Sequence, residues 1–194
     1  DVGVTVSMDK PQGLVAFTNA RIITMKGNEV IENGTLLVEG NKIKAVGSNV
    51  TVPSNAKLID CNGKTIMPGI IDAHAHGGHF NSGMSPQQFW PYYANLAFGV
   101  TTMHDPSANT EWVFAQSELQ KAGTITGPRI FSTGTILYGA DGNFKAVVNS
   151  LEDAISAIRR TKAYGAFSVK SYNQPRREQR QMIIQAAREL GIEV

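Results

Sequence analysis

Short apolar runs separated by turn residues open the chain. Leu14-Val15-Ala16-Phe17, Ala20-Arg21-Ile22-Ile23 and Thr35-Leu36-Leu37-Val38 are rich in β-branched and large apolar side chains, which predicts strands. Asn33-Gly34 marks a turn and Pro53-Ser54-Asn55 a break. Gly40-Asn41 lies between Leu36-Leu37-Val38-Glu39 and Lys42-Ile43-Lys44-Ala45-Val46, a two-residue hairpin signal, because both turn positions tolerate a positive φ. Residues 14–67 therefore read as a small antiparallel β unit, behind a leader over residues 1–13.

From residue 66 the rhythm changes to alternating strands and helices. Ile66–His76 reads as an apolar strand. Ser85–Phe98 reads as a helix with Phe89, Trp90, Tyr93, Leu96 and Ala97 near helical spacing, Pro86 in its first turn and Gly99 as its stop. Val100–His104 is the second strand. The second helix, Asn109–Ala122, carries Trp112, Val113, Ala115, Leu119 and Ala122, and Arg129–Gly134 is the third strand. Ser150, with Asp153 three residues on, opens a third helix striped by Leu151, Ala154, Ile155 and Ile158. Ala166–Ser171 is the fourth strand. Pro175–Leu190 is the fourth helix, with Met182, Ile183, Ala186, Ala187 and Leu190 on one face and Gly191 as its stop. Ile192 and Val194 have the alternation of a further strand beginning.

Four βα units with short apolar strands predict a parallel sheet. A doubly wound sheet and the first half of a barrel both satisfy this pattern. No glycine fingerprint follows the first strand, and Gly77-Gly78 lacks the spacing of one. At 194 residues the chain is too short for a complete eight-stranded barrel, which takes roughly 250. Its 18 basic and 16 acidic residues leave a net charge of +2, so no nucleic-acid footprint is expected. A single cysteine, Cys61, rules out an internal disulfide and reads as packing. No apolar run is long enough to span a membrane. The first residue is Asp1 and not Met, so the chain reads as part of a larger protein and its compartment stays unknown.

The chemistry concentrates in Pro68-Gly69-Ile70-Ile71-Asp72-Ala73-His74-Ala75-His76. Alternation along a strand points Asp72, His74 and His76 to one face, at the C-terminal end where barrel sites lie. Two imidazoles so placed either converge on one ion or satisfy one another and their neighbours by hydrogen bonds. His79 follows in a glycine-containing loop and has the weaker case as a ligand. Lys170 closes the apolar run Phe167-Ser168-Val169-Lys170, so its amine is expected to be partly desolvated and nucleophilic; the bland alternative is a solvated charge. His104 ends the second strand and faces the mouth of the site. Tyr138 and Asp141 lie in the long segment Gly134–Asn149, and loops of that length are often functional, which makes Tyr138 a candidate substrate contact. Arg176, Arg177 and Arg180 open the fourth helix as a solvated basic face or as a grip on an acidic group.

The segment Pro68–His76 resembles the first-strand signature of the amidohydrolase superfamily: Pro-Gly, an aliphatic pair, Asp, then His-x-His. Residues 14–67 resemble the superfamily's β-sandwich lead-in, with Asn-Ala-Arg-Ile, the Gly-Asn hairpin and Asp60-Cys61-Asn62-Gly63-Lys64. The resemblance, which is closest to the imidazolonepropionase- and prolidase-like branch, implies an α/β fold. The expected architecture is a (β/α)8 TIM barrel, of which residues 68–194 supply only the first four βα units, preceded by the small β-sandwich unit. It also implies a hydrolase of carbon–nitrogen bonds other than ordinary peptide bonds, acting on a cyclic or dipeptide-like amide by way of a metal-bridging hydroxide. By the same resemblance His74, His76 and Lys170 would be metal ligands. Two divalent ions, expected to be zinc, would be bridged by Lys170 carbamylated with carbon dioxide, and His104 would contact a small-molecule substrate. The catalytic Asp and two further histidines of the family pattern would lie beyond residue 194, so the chain alone is expected to be inactive and to pair with another copy or with the remainder of its parent. The competing readings are a non-catalytic scaffold on the same fold and a mononuclear deaminase; the histidines weigh against the first and Lys170 against the second.

Overall fold

The computed structural model describes residues 12–79 and 86–194. Residues 1–11 of the expected leader, and Ser85, fall outside the described residues; the helix predicted over Ser85–Phe98 begins only at Trp90, with Phe89 as its extended N-cap, so Pro86 lies ahead of the helix and not in its first turn. The chain divides into two compact units, one ending at Gly69 and the other running from Ile70 to Val194.

The first unit is a five-stranded sheet. Its strands are β1 (Leu14–Ile23), β2 (Val30–Glu39), β3 (Lys42–Gly47), β4 (Lys57–Asp60) and β5 (Thr65–Ile66), in the order β3-β2-β1-β4 with β5 also on β1. The antiparallel arrangement expected from the sequence holds for β1, β2 and β3, whereas β4 and β5 run parallel to β1. The reason is topological. After two hairpins β3 points the same way as β1, and the connection over residues 48–56 carries the chain back to begin β4 in that same direction. At the 40–41 hairpin only Gly40, at φ 58°, takes the left-handed conformation. The two runs predicted over residues 14–23 are one strand with a bulge, because the register slips between Phe17 and Ala20 and Asn19 sits at φ 53°. Ala20, Ile22 and Cys61 form the buried center, against Phe17, Ile31, Leu36 and Ile66.

The second unit is mixed α/β. Strands β6 (Ile70–Asp72), β7 (Val100–Asp105) and β8 (Arg129–Ser132) pair in parallel in sequence order. Helices α1 (Trp90–Ala97) and α2 (Thr110–Lys121) connect them. Two short strands not foreseen, β9 (Ile136–Tyr138) and β10 (Lys145–Val147), pair in parallel inside the segment read as loop. Helices α3 (Leu151–Ala163) and α4 (Arg177–Leu190) follow. Ser150 and Asp153 make the expected capping box, and Gly191 ends α4 at φ 59°.

Three sequence readings are corrected here. The strand predicted over 66–76 is only three residues long, because the Asp72 carboxylate accepts the His74 backbone N–H at 3.0 Å and turns the chain. The run 166–171 forms no ladder: Ser171 bridges Leu137 and Ser168 bridges Glu193, one residue at a time. The faces of α1 and α2 are also displaced. Tyr92, not Trp90 or Tyr93, is the buried residue of α1, and Phe114, Gln116 and Ser117 replace Ala115 inside α2. Polar partners explain the burial: the Tyr92 hydroxyl meets His79 at 2.8 Å, and the Ser117 hydroxyl donates to the Ile130 carbonyl at 2.8 Å. Leu137, Val148, Ile158, Val169 and Ile183 center one core, and Tyr92, Met103, Val113 and Ile130 another.

Candidate functional site

The turn at Asp72 removes His74 and His76 from regular strand geometry, yet the two rings still meet. Their Nε2 atoms lie 3.2 Å apart, with the rings edge to face and their centroids 4.9 Å apart. The backbone remains tied to the second strand through the Ala75 N–H, which donates to the His104 carbonyl at 3.0 Å.

Behind His76 lies a buried polar network that the sequence did not reveal. Asp105, the last residue of β7, is 1% exposed. Its Oδ1 accepts the Ser107 N–H at 2.9 Å and lies 3.3 Å from His76 Nδ1. Its Oδ2 accepts the Gly77 N–H at 2.9 Å and lies 3.0 Å from His79 Nε2. Burial pushes the carboxyl up, but the hydrogen bonds from His79, Gly77 and Ser107 outweigh it and hold Asp105 below the ordinary carboxylate value. A carboxylate beside Nδ1 favors the tautomer of His76 with its proton there, which leaves the Nε2 lone pair directed toward His74. His79 is the structural member of the set. Its Nε2–H serves Asp105 and its Nδ1 accepts the Tyr92 hydroxyl, whose proton is held firmly because burial and the Asp105 charge push the phenol up. The signal for Asp105 was its register: in β7, Met103 and Asp105 share the buried side, so a carboxylate stood where the alternation called for an apolar residue.

His104 points to the other side of β7. Its Nε2 lies 3.2 Å from the Ser168 hydroxyl and its ring packs on Phe167 at 5.4 Å. Burial lowers its proton affinity, more than the Ala73 backbone and the Asp105 charge restore it. His104, Ser168, Lys170, Arg180 and Glu193 line one cavity of about 450 Å³. The Lys170 amine lies 5.2 Å above the Tyr172 ring, and Tyr172 meets Tyr138 edge to face at 5.6 Å. Tyr138 also carries the Lys145 amine over its ring at 4.6 Å. The structure thus joins His74 to His76, and His104 to Lys170 through a shared cavity. Among the described residues no three His, Cys, Asp or Glu side chains gather closely enough to hold an ion by themselves. Asp141 accepts the Gly142 N–H, and Arg176 reaches Asn149 at 3.4 Å. No described helix is long and apolar enough to cross a membrane.

No family model matches the chain. A stretch of 64 residues is 40% identical to imidazolonepropionase of Vibrio cholerae serotype O1, covering 31% of this chain and 16% of the relative. A stretch of 63 residues is 44% identical to a dihydroorotase of Wolbachia, covering 32% of this chain and 14% of the relative. The aligned stretches are thus a small part of these curated relatives. Among solved structures, a Xaa-Pro dipeptidase with bound methionine in its active site superposes with a TM-score of 0.72 at 20% identity, over 93% of this chain and 55% of that one. Over part of its length, the chain is related to the amidohydrolase superfamily.

Proposed function

We propose that residues 70–194 are the first half of a (β/α)8 barrel and supply half of a binuclear metal site in a hydrolase of carbon–nitrogen bonds. The observation that carries this reading is the 3.2 Å approach of His74 Nε2 and His76 Nε2, with Asp105 behind His76. Two nitrogens held at about 2.0–2.1 Å by one tetrahedral ion lie about 3.3 Å apart, so the pair fits a divalent metal such as zinc. His74 and His76 would hold it, and Lys170, as its carbamate, would be the third ligand and the bridge to a second ion. When bound, such ions lower the proton affinity of a water and polarize an amide carbonyl.

The protein's own residues have separate tasks. Asp105 keeps the His76 proton on Nδ1 and locks the 74–79 loop through the Gly77 N–H. His104, whose proton affinity burial lowers, would offer a substrate polar group the ring nitrogen that it shares with Ser168. Tyr138 and Tyr172 wall the Lys170 side. A small cyclic or dipeptide-like amide is the substrate class that the relatives' names support.

The test is zinc titration of the chain in the presence of 13C-bicarbonate. Weak binding lost in His76→Ala, and a carbamate 13C signal lost in Lys170→Ala, are expected. In the intact protein, Lys170→Ala should lose most bound metal and activity, with partial rescue by short carboxylic acids. Two metals and full activity in that variant would reduce Lys170 to a structural role.

A further inference from the structure

A second cavity, of about 380 Å³, is lined in part by His76, His79 and Asp105. Ala108, Trp112, Val113 and Phe144 give it an apolar wall. Its buried polar neighbors are already committed. Both oxygens of Asp105 and both ring nitrogens of His79 have partners, and the Asn109 side chain caps α2 by accepting the Trp112 N–H at 3.2 Å. A ligand entering here meets mainly hydrocarbon and aromatic surface, with His76 and Ser107, whose hydroxyl lies 3.3 Å from His76 Nδ1, as the remaining polar lining. The volume is near the lower end for small-molecule sites, which suits one side chain more than a whole multi-ring ligand.

Phe144 adds an independent observation. Its φ is 54°, a left-handed conformation that a bulky residue adopts at a cost. The surrounding chain holds it there: the Phe144 carbonyl accepts the Ile136 N–H at 2.7 Å and anchors the start of the β9–β10 pair. The strain keeps an aromatic ring, 41% exposed, at the cavity mouth where a glycine would satisfy the backbone better.

We propose that this cavity receives the apolar side chain of the amide substrate, with Trp112 and Phe144 setting specificity beside the His74–His76 pair. The assignment of substrate rests on the hydrolase reading above; the apolar preference of the cavity does not. The amide would lie toward His76 and its aliphatic or aromatic side chain would fill the space between Trp112, Val113 and Phe144.

The chain holds two tryptophans, so in Trp90→Phe the emission reports Trp112 alone. Metal-free protein is titrated with the N-acetyl amides of phenylalanine, leucine and glycine. A saturable change in emission is expected for the first two, about tenfold to a hundredfold tighter than for the glycine amide, the gain for burying one such side chain. Adding Phe144→Gly should reduce that preference to about threefold or less. The same change relieves the φ strain, and thermal melting run in parallel separates lost binding from unfolding. Equal affinity for all three amides, no saturable response, or a preference untouched by Phe144→Gly would overturn the proposal. Zinc titration of the same protein decides the metal reading separately. Apolar selectivity without metal binding would leave the cavity and count against His74 and His76 as metal ligands; metal binding without selectivity would leave those ligands and remove the cavity.

Discussion

Asp105 is the residue on which the site's local geometry depends most. Its two buried oxygens serve the backbone at Gly77 and Ser107, the buried His79 ring and the half-exposed His76 ring. Asparagine at this position would present an amide NH2 to at least one of those N–H donors. A buried donor left without an acceptor costs about 1–3 kcal/mol. Asp105→Asn should therefore lower the melting temperature, by about 2–4 °C for each kcal/mol in a chain of this size. A bulk structural role would show only that drop. A positioning role also predicts a change in the 15N shifts of His76, from predominantly Nδ1–H to a mixture of tautomers, measured by NMR without metal. Unchanged His76 shifts would remove Asp105 from the site.

At the scale of elements, the corner joining β1, β4 and β5 is built on one carboxylate. Asp60 Oδ1 accepts the Asn62 N–H at 2.9 Å and the Asn19 side-chain amide at 3.0 Å. Both asparagines sit in the left-handed region, at φ 48° and 53°, where Asn is tolerated better than most residues. The Asn62 backbone and then the Asn19 amide hold the Asp60 carboxyl below its ordinary value. A carboxylate with a folded value below its unfolded one contributes stability that is fully present above the unfolded value, near 4, and is lost as pH falls through the folded value. The chain should thus lose more stability between about pH 5 and pH 3 than Asp60→Asn, which keeps the acceptor oxygen without the titration. Parallel denaturation curves at the two pH values check this, and identical losses would contradict it. This corner also shows what a sequence can carry. The strands β1 to β3, the hairpin at Gly40, the capping box at Ser150 and the stop at Gly191 follow from local rules of turn chemistry and periodicity, and all were legible. The parallel return of β4, the short β9–β10 pair and the bridging of 166–171 depend on long-range pairing that no local pattern specifies. The same division holds at the site: His74 and His76 stood out as a motif, whereas Asp105 and Tyr92 become meaningful only when residues 26 and 13 positions from His79 are brought beside it.

On the scale of the second unit, the parallel strands are covered on one side and bare on the other. Met103 and Ile130, on the helix-facing side, are 1% and 3% exposed, whereas Ile71 and Phe167 on the opposite side are 66% and 53% exposed. Phe131 belongs to the bare side too, packed on Phe167 at 5.9 Å, and His104 packs on the same Phe167 ring. Parallel sheets are ordinarily buried on both faces, and a contiguous apolar patch on a monomer marks a surface that another element covers. The polar groups near this patch, His104 and Ser168, are already bonded to each other. The chain in isolation should then associate through this face, with sedimentation velocity showing species larger than the monomer and a shift toward them between about 1 and 100 µM. The double substitution Phe131→Ser, Phe167→Ser should return it to a monomer. Both side chains are partly or mostly in solvent, so the change should cost little stability, which thermal melting would verify alongside. A chain that sediments as a monomer throughout that range would mean that the exposed face is tolerated as it stands, and that the strands need no covering partner.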